Sequence, residues 1–310
     1  MTGARSDAAA QIPAVGRALL ALGDRWTLLI LQRAFLGARR FSQWQEALGV
    51  SNSVLTSRLR ELEQYGVLIR VPDPAYAGRS EYRLTERGLD LWSVLVAIWA
   101  WEKRWVLARP APLPELRHHR CGLACVPRLT CTCAPHPVSP RDTTALRRSN
   151  ARVADVSPAR LHRRTSASPH PGDALSFLPG TMELLGNRWS TAVLAAAFLG
   201  VRRFGGFERD LGIPPVILAD RLRRFVELGV FRRVVYDERY GREEYRLTAK
   251  GLAFFDVLAL LVRWGERWLA GPAEPVLVIR HRRCGRVLEP VLRCDRCQAV
   301  LNRREVRFML

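Results

Sequence analysis

Residues 41–70 read FSQWQEALGVSNSVLTSRLRELEQYGVLIR. Ser42 is placed to cap a short helix ending at Leu48, with Gln45 at the capping-box position. Gly49-Val50-Ser51 makes a tight turn, and a longer helix is predicted from Asn52 to about Tyr65, stopped at Gly66. Leu55, Leu59 and Leu62 recur at the helical period and mark its packed face, whereas Ser53, Thr56, Ser57 and Arg60 point elsewhere. A short helix, a glycine turn and a longer helix with a polar start form the pattern of a helix-turn-helix.

The flanking sequence extends this unit in both directions. Val67–Val71 and Ser80–Leu84 read as two strands joined by a Pro/Gly-containing loop, which makes a wing. Thr85 caps a last helix running to about Trp105. Its residues Leu91, Trp92, Val94, Leu95, Ile98, Trp99, Trp101 and Trp105 make it apolar nearly all round, so it must be buried on more than one side. One face serves the core of the domain; the other is expected to meet a second copy, in this chain or another. Upstream, Val15–Leu22 reads as a first helix, and Asp24 as the N-cap of a second that ends before Gly37.

The whole unit occurs twice. GDRWTLLILQRAFLGARRF at 23–41 returns as GNRWSTAVLAAAFLGVRRF at 186–204, and RSEYRLTERGL at 79–89 as REEYRLTAKGL at 242–252. The offset is 163 throughout, with 36 identities over the 87 ungapped positions from Leu19 to Trp105, so the chain is a tandem duplication. The predicted fold is mainly α with small β-wings (α+β class): two tandem winged helix-turn-helix domains, 12–107 and 175–270. Each is followed by a small Cys-containing segment, 108–133 and 271–310. The span 134–174, rich in Pro, Ser, Ala and Arg and without periodicity, is expected to be a flexible basic linker.

The chain has 310 residues with 49 Lys+Arg against 29 Asp+Glu, a net charge of +20, which favours an anionic partner. The two repeat units account for little of it. Residues 12–105 hold 13 basic and 9 acidic side chains, and residues 175–268 hold 15 and 11, leaving each unit near +4. Leu91–Trp101, the most apolar stretch, is about half the ~20 residues needed to cross a bilayer, so no membrane span is expected. The N-terminus lacks the apolar centre of a secretory signal. Seven clustered cysteines without an export signal point to thiols or metal ligands in a reducing, cytoplasmic setting.

Those cysteines follow the repeat. The second segment carries His281-x2-Cys284-x9-Cys294-x2-Cys297, and the first His118-x2-Cys121-x9-Cys131-x-Cys133 with Cys125 in addition. Three thiolates and one imidazole form a tetrahedral zinc set, so His281, Cys284, Cys294 and Cys297 are candidate ligands of one structural metal. The alternative is a β-rich tail of reduced cysteines without metal. In the first segment, the single residue between Cys131 and Cys133 suits one metal poorly, and a redox pair of those two thiols is a third reading. No cofactor is required by the sequence.

The run RWTLLIL…FLGARRFSQWQEAL-GVSNSVLTSRLRELEQYGVLIR…EYRLTERG, with its second copy RWSTAVLAAAFLGVRRFGGFERDLGIPPVILADRLRRFVELGVFRR…EYRLTAKG, resembles the HxlR-type winged helix-turn-helix transcriptional regulators. The resemblance covers about 95 residues of each copy. It implies a cytoplasmic DNA-binding regulator whose dimer contacts run through the first and last helices of the domain. Members usually carry one domain and dimerise; a tandem pair is expected to form a pseudo-dimer within one chain, or a homodimer. Several members sense oxidants through a cysteine just before the first helix, where this chain has Ile12-Pro13 and Leu178-Pro179. Thiol sensing at that position is therefore not available.

For a helix-turn-helix, the partner is double-stranded DNA and the start of the second helix meets base edges. Asn52, Ser53, Thr56 and Ser57 are the candidate readers, since Asn pairs bidentately with adenine and hydroxyls bond several bases. Ser51 either caps the helix or contacts a phosphate. Arg58 either reaches a phosphate or pairs with Glu61; its counterpart Arg221 faces Arg224 instead, which predicts two arginines free for phosphates. Arg60 and its counterpart Arg223 complete the arginines of these helices. Arg79 and Arg242 follow the wing glycines Gly78 and Gly241, a place suited to a narrow minor groove. Arg39-Arg40 and Arg202-Arg203 precede the short helices and either hold backbone phosphates or form solvated basic turns. In the second copy the readers become Pro214, Pro215, Val216, Ala219 and Asp220, so most base readout is expected from the first.

The functional expectation is a transcriptional regulator acting on duplex DNA; the alternative is a winged-helix protein-interaction module without sequence-specific DNA binding. An enzyme is not expected, since there is no phosphate-cradling glycine loop, nucleophile–base arrangement or paired carboxylates in context. The aromatics occupy core-like periodic positions rather than a stacking platform, which argues against RNA.

Overall fold

The computed structural model describes residues 14–73, 78, 80–107, 112–147, 179–271, 275 and 277–309. The first unit runs α1 (Ala14–Leu22), α2 (Arg25–Phe35), α3 (Phe41–Leu48), α4 (Asn52–Gln64), β1 (Leu68–Pro72), β2 (Ser80–Leu84), α5 (Glu86–Leu89) and α6 (Trp92–Trp105). Asp24 caps α2 by accepting from the backbone N–H of Trp26 at 2.9 Å. The short helix α3 starts one residue before Ser42, at Phe41, with Arg40 as its N-cap. Gln43, not Gln45, turns back to accept from the N–H groups of Arg39 (2.7 Å) and Arg40 (2.8 Å), because only from the third helical position can that side chain reach them. Gly49 closes α3 in the left-handed region, φ 58°, which an L side chain adopts at a cost.

Packing follows the periodicity. Leu55, Leu59 and Leu62 are fully buried, and the indole of Trp44 reaches from α3 to donate to the carbonyl of Ile30 at 3.0 Å. Strands β1 and β2 pair antiparallel, Leu68 opposite Leu84 through Pro72 opposite Ser80, as the wing. Thr85 caps α5 by accepting from the Gly88 N–H at 3.1 Å. Gly88 is required there: a Cβ would stand 2.2 Å from the carbonyl oxygen of Val67.

After α6 come β3 (Glu115–His118), β4 (Arg128–Cys131), β5 (Ala134–Pro137) and β6 (Thr143–Arg147). The second unit repeats the first as α7 (Pro179–Leu185), α8 (Arg188–Phe198), α9 (Phe204–Leu211), α10 (Pro215–Glu227), β7 (Phe231–Asp237), β8 (Arg242–Leu247), α11 (Ala249–Leu252) and α12 (Phe255–Leu269). The tail adds β9 (Leu277–His281), β10 (Pro290–Arg293) and β11 (Val306–Met309). The expected linker therefore begins later than 134: β5 pairs with β4, and β6 pairs along its length with β9. Polar Pro- and Ser-rich composition hid both strands, and β6 finds its partner only 130–138 residues further along the chain. The remainder of that span, 148–174, lies outside the described residues.

The two Cys-containing segments interleave. Strand β3 pairs with β11, β6 with β9, and β4 with β10. In the β4–β10 pair Leu129 stands opposite Leu292, its own repeat equivalent, as an approximate two-fold axis requires.

The helical units meet along the same axis. Helix α12 lies against α1 and α6, and α6 meets α7. Small residues permit the approach: a Cβ on Gly265 would stand 2.9 Å from the Ala14 carbonyl oxygen and 3.0 Å from the Ala18 Cβ. Trp101 Nε1 donates to the Lys250 carbonyl at 3.0 Å, and Trp264 Nε1 donates to the Arg87 carbonyl at 2.9 Å. These are the same bond seen from the two halves. The buried Glu102 carboxylate accepts from the Thr181 N–H at 2.6 Å, and Trp268 Nε1 donates to Asp90 at 2.8 Å. The second face of the apolar last helix is thus covered within the chain.

Candidate functional site

Helix α4 carries Asn52, Ser53, Thr56, Ser57 and Arg60, all exposed, on the side opposite its buried leucines. Together with Glu61 and Gln64 they line a shallow open concavity. Ser51 occupies the N-cap position with extended backbone, but its hydroxyl makes no cap bond and lies 3.3 Å from that of Ser53. Its capping alternative is therefore not realised. Ser57 Oγ is 3.4 Å from Glu61.

Of its two alternatives, Arg58 takes the pairing with Glu61 rather than a position free for phosphate. Its side chain is buried, bonded to Glu61 at 2.5 Å and ion-paired with Asp24 at 3.3 Å. Residue 58 follows the leucine face closely enough to turn inward, where it ties α4 to the cap of α2. Arg60, one residue outside that face, is exposed and has no carboxylate partner among the described residues.

The second reading helix is chemically different. Val216 is 82% exposed, beside exposed Pro214, Pro215 and Ala219. Its arginines are not free for phosphates, contrary to the sequence expectation. Asn187 replaces Asp24 and caps α8, so Arg221 loses that partner and bonds Asp220 instead. Arg223 bonds Asp220 at 2.8 Å and Glu227 at 2.6 Å, and Arg224 bonds Glu183 at 3.0 Å and Glu227 at 3.3 Å. Partial burial alone would raise the Asp220 carboxyl, but the hydrogen bonds from Arg221 and Arg223 outweigh it and hold the carboxyl below its ordinary range. The pairs at 183 and 227 were not legible from the repeat, since the matching residues of the first unit are Leu20 and Gln64.

Around the reading helices, Arg39 and Arg202 are exposed, and each offers its carbonyl to a wing N–H, from Tyr82 and Tyr245 respectively, both at 2.8 Å. Arg40 pairs with the buried Asp73 at 2.9 Å, which spends much of its charge on holding the wing. Arg203 stacks 4.2 Å from the ring centroid of Tyr236 and stays exposed. At the second wing tip Arg242 lies 5.1 Å from the Tyr240 ring centroid. Arg79, the expected tip residue of the first wing, lies outside the described residues, as do Ile12, Pro13 and Leu178.

The cysteine ligands assemble in a different pairing from the one their spacing suggested. His118 and Cys121 come together with Cys294 and Cys297, while His281 and Cys284 come together with Cys131 and Cys133; in each group the ligand atoms lie within 4.8 Å of one another. The sets expected within each segment are not formed, because β4 and β10 exchange places across the axis. His118 Nδ1 is 3.5 Å from the Cys121 sulfur and 3.3 Å from the Cys297 sulfur, and the Cys121 and Cys294 sulfurs are 3.9 Å apart. In the other group His281 Nδ1 is 3.5 Å from Cys284 and 3.3 Å from Cys133. Cys125, close to Cys294 and Asp295, has its thiol pushed up to about 12, by burial first and by those two neighbours. Both His/Cys3 groups have the donors to hold a metal ion.

Comparison with known proteins decides the family. The HxlR-like helix-turn-helix family matches residues 21–109 and 184–272, more than half of the chain. The chain belongs to that family. The HxlR-like domain is present twice, and its relatives are transcriptional regulators rather than enzymes. An HTH-type transcriptional regulator of Mycobacterium tuberculosis (strain CDC 1551 / Oshkosh) is 44% identical over 125 residues, 40% of this chain and 79% of that protein. The HTH-type transcriptional regulator YvaP of Bacillus subtilis is 38% identical over 95 residues, 30% of this chain and 88% of its own length. The crystal structure of the transcription factor PA1607 shares 35% identity over 41% of this chain and 88% of its own, with a TM-score of 0.37, an overlap that carries no argument. No helix among the described residues is long and apolar enough to cross a membrane.

Proposed function

We propose that the chain is a sequence-specific duplex-DNA regulator that carries both halves of its dimer in one polypeptide and reads bases mainly through α4. The observation that carries this reading is the exposed row of Asn52, Ser53, Thr56 and Ser57 at the start of a helix whose other face is fully packed. Among the described residues the bonds these side chains make are at the surface, Ser53 with Ser51 at 3.3 Å and Ser57 to Glu61 at 3.4 Å, and none of the four is buried in the core. In the major groove the same groups supply a bidentate adenine contact and single bonds to other bases.

Arg60, Arg39, Arg202 and Arg203 supply the backbone contacts, with Arg242 at the second wing. Arg58 ties elements of the fold together instead, and Arg221, Arg223 and Arg224 are matched by carboxylates, so these four are withdrawn from that role. With its arginines matched by carboxylates and Val216 in front, α10 offers a thymine-methyl contact or a weak phosphate contact rather than a second full reading head.

Capture of genomic fragments by the full chain at moderate salt, followed by sequencing, tests the function. A shared motif among retained fragments, with one strongly and one weakly constrained half, is the expected result. Uniform recovery without a motif favours a protein-interaction module, for which the altered face of α10 is the specific support.

A further inference from the structure

We propose that the two His/Cys3 groups are crossed zinc sites that clamp the two repeat units into one body. Each group takes His-x2-Cys from one half of the chain and a cysteine pair from the other: His118 and Cys121 with Cys294 and Cys297, His281 and Cys284 with Cys131 and Cys133. A tetrahedral zinc holds sulfur at about 2.3 Å and imidazole nitrogen at about 2.0–2.1 Å, which sets sulfurs about 3.8 Å apart and nitrogen about 3.5 Å from each sulfur. The distances of 3.9 Å between Cys121 and Cys294 and of 3.3–3.5 Å from each His Nδ1 to two of its cysteines meet that requirement.

The chemistry of the donors agrees with the geometry. Three soft thiolates and an imidazole in a closed set select zinc over magnesium or calcium, and leave no open position for a substrate. As zinc enters, the thiols release their protons, so two sulfur-rich pockets become compact, weakly charged knots. His118, Cys294, Cys131 and His281 are buried. The strands that carry them are only four or five residues long and lie in two- or three-stranded sheets, too small to hold their own shape by apolar burial. A metal supplies what that core lacks.

The crossing gives the sites their consequence. A zinc held within one segment would stabilise that segment alone. The paired ligands lie 173–179 positions apart in one site and 148 apart in the other, so each ion ties the end of the first unit to the tail of the second. Together with the β4–β10 pair on the two-fold axis, they hold the two halves, and with them α4 and α10, at one spacing. The inference goes beyond DNA recognition, and its test uses no DNA, so either can fail without the other.

The test is a titration of the reduced, metal-free full chain with Co2+, read by thiolate-to-cobalt charge transfer and tetrahedral d–d absorption. The wild-type chain is expected to saturate at about two equivalents. The variant Cys121→Ser/Cys297→Ser removes two ligands of one crossed site and is expected to keep the other, half the signal. Cys284→Ser/Cys297→Ser removes one ligand from each crossed site and is expected to lose the tight tetrahedral signal. Sites contained within each segment predict the reverse: one site left in Cys284→Ser/Cys297→Ser and none in Cys121→Ser/Cys297→Ser. That reversal overturns the proposal, as does an absence of tetrahedral cobalt in the wild-type chain. The site retained in Cys121→Ser/Cys297→Ser also reports that the variant folds, and its loss there counts against the proposal too.

Discussion

Arg58 and Arg60 lie two residues apart on one helix and have opposite duties. Arg58 is buried between Asp24 and Glu61, whose carboxylates are partly exposed; Arg58→Gln is expected to destabilise the fold by about 1–2 kcal/mol, seen in thermal unfolding, because both ion pairs are lost while the Asp24 carboxylate keeps its cap bonds. Arg60→Gln is expected to leave stability unchanged and to reduce the slope of log affinity against log salt by about 0.9, the share of one phosphate. Asp256 supplies a pH test. Burial raises its carboxyl to about 7, against the pull of the Leu129 N–H and of Arg104. Its folded-state value stands above the unfolded one, so the folded chain holds the extra proton. Stability from this group is present in acid and is lost as pH rises towards and through 7. Asp256→Asn is expected to raise the unfolding midpoint at pH 8, by on the order of 1–3 kcal/mol, and to have little effect at pH 4. An equal shift at both pH values would contradict the assignment.

Among the elements, helix α4 was legible from its own residues, since leucines at the helical period and a polar start are local signals. The cap of α3 was misplaced by two residues for the same reason in reverse: Ser42 is a local cap signal and Arg40 is not, and only the carbonyl and N–H geometry chooses. Arg58 takes the Glu61 alternative, but its second partner Asp24 was not foreseen, nor were Asp220 at Arg221 and Glu183 at Arg224, because these are brought in by tertiary packing or by a single side-chain change between copies. The metal ligands were legible by residue type and not by pairing, since which half supplies the second cysteine pair depends on strands that meet across an axis. The contact between α1 and α12 rests on an absent side chain. Gly265→Val is expected to force those helices apart and cost about 1–3 kcal/mol, measured by denaturant unfolding, whereas Gly205→Val, where no atom lies within 4 Å, is expected to cost less.

Over the whole molecule, the duplication makes a two-fold body out of one chain and then lets its halves diverge. The reciprocal bonds of Trp101 and Trp264, and the self-pairing of Leu129 with Leu292, keep the scaffold symmetric. The reading surfaces are under no such constraint. A dimer of identical chains must present two equal heads; this chain presents a hydroxyl- and amide-bearing helix on one side and an apolar, carboxylate-matched one on the other. The repeat units hold only about +4 each of the net charge of +20, and on the proposed reading base contacts and phosphate contacts fall on different side chains, Asn52 and Thr56 against Arg60 and the arginines of the turns and wing.

That separation allows one decisive measurement: the ratio of affinities for a selected motif and for random duplex, at fixed salt, in the wild-type chain and in two double variants. Asn52→Ala/Thr56→Ala is expected to lower the ratio by about 1–3 kcal/mol, with binding to random duplex unchanged, because base contacts are lost and phosphate contacts are not. Val216→Ala/Asp220→Ala is expected to change the ratio less. A ratio untouched by the first pair, or reduced more by the second, would contradict the central claim that α4 is the helix that reads sequence.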